Sequence, residues 1–126
     1  MRVLLDTPIL LWWLADDPRL PAAAASLIAD PDTVVRVSAA SAWEISINQA
    51  AGRLEAPDDL LDVVAENEFE ILVITGDHAI AAGRLPPHHG DPFDRMLISQ
   101  AQIETLTLVS VDSRFADYEV DLLPLD

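Results

Sequence analysis

Four apolar runs along the chain are too short for helices and too continuous for half-exposed strands. "RVLLD" (2–6), "TVVRVSA" (33–39), "FEILVIT" (69–75) and "TLTLVSVD" (105–112) read as buried β-strands. "YEVDLL" (118–123) reads as a fifth at the sheet edge. Between them lie segments with helical periodicity and punctuation. "TPILLWWLA" has Pro8 suited to a helix start and is apolar on every side, so it must be covered on more than one face. Further helices are expected between Pro21 and Asp30, over 41–52 closed by Gly52, over 57–68, after a cap at Asp77, and from Pro92 to Ile103. Strands alternating with helices in this way predict an α/β fold with a mainly parallel sheet of four to five strands and helices on both faces.

The chain has 126 residues, 51% of them hydrophobic, which suits one compact domain over 1–126. There is no Cys, so disulfides and thiolate metal sites are excluded and a reducing cytoplasm is the expected location. The apolar N-terminus is interrupted by Asp6 and Pro8 and ends at Asp16 and Asp17. It reads as neither a signal peptide nor a membrane span. The formal charge is −15, and every basic residue is Arg. Such a chain repels nucleic acid at long range, so phosphate binding has to be focused by metal ions or a few placed arginines.

The stretch "HHGDPFDRMLISQ" (88–100) carries two acids in the first turn of an otherwise apolar helix. Asp91 before Pro92 has the pattern of an N-cap, and Asp94 falls at the third helical position, where a carboxylate meets free N–H groups. Asp6 ends the first strand and Asp112 the fourth. Glu44 is the one acid between Asp32 and Glu55, among Trp43, Ile45 and Ile47. In open parallel sheets, sites form beyond the carboxyl ends of the strands, so Asp6, Glu44, Asp94 and Asp112 can converge there. Each also has a local reading, as a cap, a turn former or a surface acid. Three ionised carboxylates about 4 Å apart repel by roughly 4 kcal/mol per pair at an effective dielectric near 20. That rivals the roughly 5–15 kcal/mol stabilising a whole domain, so the group must take up protons or bind a cation. Oxygen ligands without Cys suit Mg²⁺ or Mn²⁺, ions that promote phosphodiester hydrolysis.

Two other α/β classes with acidic edges fit poorly. A receiver domain needs a Lys, and there is none. A phosphatase of the haloacid-dehalogenase type needs a second Asp two residues after the first, where this chain has Pro8.

"LLDTPILLWWL", "SAASAWEISI", "LPPHHGDPFDRMLISQAQ" and "LVSVDSRF", in this order, resemble the PIN-domain ribonucleases, and most closely the VapC-type toxins of bacterial toxin–antitoxin pairs. The resemblance covers essentially the whole chain. It implies a three-layer α/β/α sandwich and a Mg²⁺- or Mn²⁺-dependent endoribonuclease held inactive by a cognate antitoxin, with RNA as substrate and a homodimer as the expected assembly. By this carry-over, Asp6 and Asp94 are the central metal ligands. Glu44 holds a metal or orients the attacking water, and Asp112 completes a second, weaker site. Thr7 and Ser110 are supporting hydroxyls, and Asp91 is primarily the helix cap. Relatives often carry Lys where this chain has Asn48, and a basic residue where it has Gly90. Arg95 and Arg53, with Asn48, are left as RNA-contact candidates, and Arg95 could equally hold a carboxylate. His88 and His89 are assigned to loop packing or RNA contact rather than to a joint metal site, and His78 is given no role. Trp12, Trp13 and Trp43 read as core or interface, facing a dimer partner or an antitoxin helix. The missing basic residues keep one alternative open, a catalytically weak PIN-like binding module serving as an antitoxin-binding or regulatory partner.

Overall fold

A computed structural model describes residues 1–125. In chain order its elements are β1 (Arg2–Leu5), α1 (Thr7–Leu14), α2 (Ala22–Ala29), β2 (Val34–Ser38), α3 (Ala39–Ala50), α4 (Leu60–Glu66), β3 (Glu70–Leu72), α5 (Gly76–Arg84), α6 (Pro92–Glu104) and β4 (Thr107–Val109). A short 3-10 helix, Ser113–Asp117, follows. The four strands form one parallel sheet in the order β3-β2-β1-β4.

Side chains alternate across the sheet with the strand period of two. On β1, Val3 and Leu5 enter one apolar layer with Ile9 and Leu10 of α1, Ala24 and Ile28 of α2, Ile45 of α3 and Val64 of α4. Leu4, between them, faces the other layer, with Leu97, Ile98 and Ala101 of α6 and with Phe115 and Tyr118. Helices therefore cover both faces, giving the α/β/α arrangement expected from the apolar strands.

The expected fifth strand over 118–123 shrinks to a single parallel bridge, Leu108 to Leu122. The Leu108 N–H donates to Asp121 and the Leu123 N–H to Leu108, and then Pro124, which has no N–H, stops the ladder. β3 is also shorter than its apolar run, because 73–75 leaves the sheet to start α5. The cap of α5 is Thr75 rather than Asp77. The Thr75 hydroxyl accepts from the His78 N–H, and the His78 ring accepts from the Thr75 N–H, a reciprocal box that satisfies two N–H groups. α3 begins two residues earlier than expected, capped by Ser38. No helix among the described residues is long and apolar enough to cross a membrane.

The crossovers from β1 run one way to β2 and β3, while β4 lies on the opposite side of β1. The carboxyl ends of β1 and β4 thus flank the point where the winding of the sheet reverses, the place where open α/β sheets leave a crevice.

Candidate metal centre

Asp6 follows the last residue of β1 and caps α1. Its backbone N–H extends the sheet to Val109 of β4 at 3.1 Å, and its Oδ1 accepts from the Ile9 N–H at 3.0 Å. Capping alone does not require burial, yet Asp6 is only 2% exposed. Burial is the main cause that pushes its pKa from 3.8 to about 7. Hydrogen bonds from the Ser110 hydroxyl and the Ile9 N–H work against that rise, while Asp94 and Asp112 add to it. Ser110 lies beside Asp6, and its Oγ accepts from the Asp112 N–H at 3.0 Å.

Asp94 is placed by its helix start. Asp91 accepts from the N–H groups of Phe93 and Asp94 at 2.8 and 3.1 Å and Pro92 opens α6, so Asp94 stands in the first turn. Burial raises its pKa, the His89 ring opposes the rise, and Asp91 and Asp112 reinforce it. Glu44 sits in the second turn of α3, half-buried. Thr7 Oγ1 donates to its Oε1 at 2.6 Å and lies 3.1 Å from Ser41 Oγ, tying α1 to α3. Burial raises the Glu44 pKa, Thr7 opposes it, and Asp91 and Asp94 add to it. Asp112 caps the 3-10 helix and is gripped by the guanidinium of Arg114, with contacts of 3.0, 3.2 and 2.6 Å. Arg114 accordingly holds its carboxyl below the usual range.

The four acids thus sense one another at the carboxyl edge of the sheet, and three of them resist ionising. A divalent cation removes both the burial penalty and the mutual repulsion, so this donor set fits one. The tightest grouping, however, includes a residue to which the sequence reading gave no ligand role. Among the described residues, the donor atoms of His89, Asp94 and Asp112 all lie within 4.8 Å of one another. Among the described residues, no trio containing Asp6 or Glu44 is that compact.

In the sequence His88 and His89 stand side by side and invite one reading as a pair. The structure separates them. His88 is exposed and packs edge-on against the Tyr118 ring, 5.2 Å between centroids, which is loop packing. His89 is only 6% exposed, with Nε2 at 2.7 Å from Asp94 Oδ2. The available signal was its position five residues before Asp94, just outside the cap of α6.

Among the described residues, Arg95 holds no carboxylate. Its guanidinium donates to the backbone carbonyls of Ala82, Leu85, Pro86 and His89, between 2.8 and 3.1 Å, and so fixes the 85–91 loop. Arg53 is exposed, and Asn48 donates to the Glu44 carbonyl at 3.0 Å. Both line a cavity of about 800 Å³ that runs from Thr7 and Glu44 along Leu11 and Trp12 to Leu54. Trp12 stacks under Arg19, Trp13 donates to Asn67 Oδ1 and packs near Phe69, and Trp43 is 61% exposed with its ring edge-on to Phe93.

A family model described as "PIN domain" matches residues 3–121. No curated protein matches the chain. Several solved structures share its fold. VapBC2 from Rickettsia felis, bound to a DNA fragment from its promoter, contains a chain 15% identical, with a TM-score of 0.66 and 98% of each chain covered. A toxin–antitoxin complex from Klebsiella pneumoniae is 22% identical, with a TM-score of 0.66 and 97% of each chain covered. FitAcB from Neisseria gonorrhoeae is 16% identical, with a TM-score of 0.64 over 98% of this chain and 97% of that one. At these identities the likeness is one of fold.

Proposed function

The chain belongs to the PIN domain family, and from that premise we propose that it is a metal-dependent endoribonuclease acting as the toxin of a toxin–antitoxin pair. The observation that carries the reading is the buried Asp6, with its pKa near 7, facing Asp94 and Asp112 where the sheet reverses its winding. Capping α1 does not require so deep a site, whereas burial beside two further acids in a crevice is the setting of a cation ligand.

Asp6, Asp94, Glu44 and Asp112 would hold Mg²⁺ or Mn²⁺. Such an ion polarises a phosphoryl oxygen, lowers the pKa of a water and neutralises charge on a departing oxygen. The chain's own residues supply placement. The Ile9 N–H and the Ser110 hydroxyl fix the Asp6 carboxylate, and Thr7 fixes Glu44 so that its free oxygen can orient a water for attack. A Glu44 carboxylate with a raised pKa is also a better proton acceptor for that water than an ordinary one. Asp91 acts one step back, by starting the helix that carries Asp94.

The antitoxin is proposed to dock along the cavity beside α1, whose Leu11 and Trp12 offer apolar contact next to Glu44. A basic side chain from it would reach the carboxylates in place of the cation. A homodimer is proposed as the assembly, with the exposed Trp43 and Ile47 of α3 as the apolar surface to be covered.

The test is a gel assay of antitoxin-free protein on total bacterial RNA, with Mn²⁺ or Mg²⁺, with chelator, and with Asp6→Asn. Discrete fragments that require both the metal and Asp6 are expected. Folded, metal-loaded protein that leaves all RNA intact would favour the binding-module alternative.

A further inference from the structure

We propose that His89 supplies a nitrogen ligand to the cation held by Asp94 and Asp112, and that this ligand biases the site toward Mn²⁺ and later transition-metal ions over Mg²⁺. The inference rests on the metal-dependent reading above and deepens it, since the four acids alone offer only oxygen.

Two observations and one point of chemistry support the assignment. The first is spacing. His89 Nε2 lies 2.7 Å from Asp94 Oδ2, and the donor atoms of His89, Asp94 and Asp112 fall within 4.8 Å of one another. Neighbouring donors on an octahedral ion with bonds of ~2.1 Å lie about 3 Å apart, so the His89–Asp94 pair is already close to that separation.

The second is preorganisation. The His89 backbone is pinned from both sides, its N–H donating to the Tyr118 hydroxyl at 2.9 Å and its carbonyl accepting from Arg95 at 3.1 Å. The ring is edge-on to Phe115, with centroids 6.4 Å apart. Arg95 also gathers the carbonyls of Ala82, Leu85 and Pro86, so a whole loop is tied down around one imidazole. A side chain whose backbone and ring are both fixed is the kind of support a metal ligand needs.

The third is chemistry. An imidazole binds a cation through a ring-nitrogen lone pair, and Nε2 is the nitrogen that faces Asp94. Imidazole favours transition-metal ions, while Mg²⁺ prefers oxygen.

The competing account is that His89 merely donates a hydrogen bond that orients Asp94. Electron spin-echo measurements on the full-length protein loaded with Mn²⁺ alone distinguish the two, because only a coordinated ring gives directly bonded nitrogen coupling. Calorimetry then compares Mn²⁺ with Mg²⁺ in wild type and in His89→Gln, whose amide can still donate to Asp94. Expected results are nitrogen coupling in wild type, its loss in His89→Gln, and a roughly 10- to 100-fold fall in Mn²⁺ affinity, with a much smaller change for Mg²⁺. Mn²⁺ bound without nitrogen coupling overturns the role of His89 and leaves the nuclease reading standing. An equal loss for both ions does the same. Wild type that binds neither ion overturns both. The wild-type spectrum decides the matter even if the variant fails to fold.

Discussion

Asp6→Asn should make the cation-free protein more stable, and by an amount that depends on pH. The folded pKa of Asp6 is about 7 against an ordinary value of 3.8. Between those values the folded state binds more protons than the unfolded one, so stability falls as pH rises through the window. The penalty is absent below about pH 4 and complete above about pH 7. A shift from 3.8 to about 7 corresponds to roughly 4 kcal/mol at 1.36 kcal/mol per unit, a large fraction of the roughly 5–15 kcal/mol of a whole domain. Asn keeps an oxygen for the Ile9 N–H and carries no charge at any pH. Urea unfolding in chelator at pH 5, 6, 7 and 8 should show the variant gaining on wild type with each step, by up to about 4 kcal/mol at pH 8. Comparing the two proteins at each pH cancels the other titrating groups they share. Saturating Mn²⁺ should then reverse the order, since wild type recovers its penalty through binding. A stability difference that stays flat from pH 5 to 8 would refute the claim that Asp6 is held as a strained, ionisable acid.

Three further outcomes test the supporting residues. Asp91→Ala should cost about 1 kcal/mol in the same unfolding assay, while Asp91→Asn stays near wild type, because both Asp and Asn cap a helix. Arg95→Lys should cost about 2 kcal/mol or more, since one ammonium cannot span the carbonyls of Ala82, Leu85, Pro86 and His89. Arg114→Ala should free the Asp112 carboxylate and tighten Mn²⁺ binding by calorimetry at pH 7; unchanged affinity would remove Asp112 from the cation site.

Asp94 was legible in the sequence because its position follows from a local rule. Asp91 and Pro92 start a helix, and the helix fixes where the third residue stands. Asp6 was legible because its strand is short and apolar, so the acid had to fall at the sheet edge. His89 was not, since its value comes from three residues distant in sequence or hidden in the fold: the Tyr118 hydroxyl, the Phe115 ring and the Arg95 fork. The carboxylate-holding role of Arg95 failed for the same reason. An arginine beside an acid reads as its partner, and only the folded loop reveals four carbonyls turned toward it. Strand ends misled where tertiary demands outweigh apolar pattern, as at 73–75, which leaves the sheet to cap α5. Asp77 is the stronger capping residue by side-chain type, but Thr75 takes the cap by pairing with His78.

The placement of charge has a consequence for how the proposed toxin chooses between its two binders. With a net charge of −15, Arg95 turned to backbone carbonyls and Arg114 closed on Asp112, the face around the site offers RNA, beyond a bound cation, little attraction other than that of Arg53. The same field would attract the basic antitoxin segment proposed above. Added salt screens both effects, with opposite results. Antitoxin association should weaken as salt rises from about 0.05 to 0.3 M, while RNA affinity, measured with Ca²⁺ in place of Mn²⁺, should change little or improve. Ordinary nucleic-acid binding proteins lose affinity steeply over that range through counterion release. A steep loss of RNA affinity would mean that a basic surface drives binding, against the charge distribution seen here. If antitoxin binding proved indifferent both to salt and to neutralising Asp6 and Asp94, the proposed insertion of a basic side chain among the carboxylates would be wrong, leaving the apolar cavity beside α1 to account for the complex.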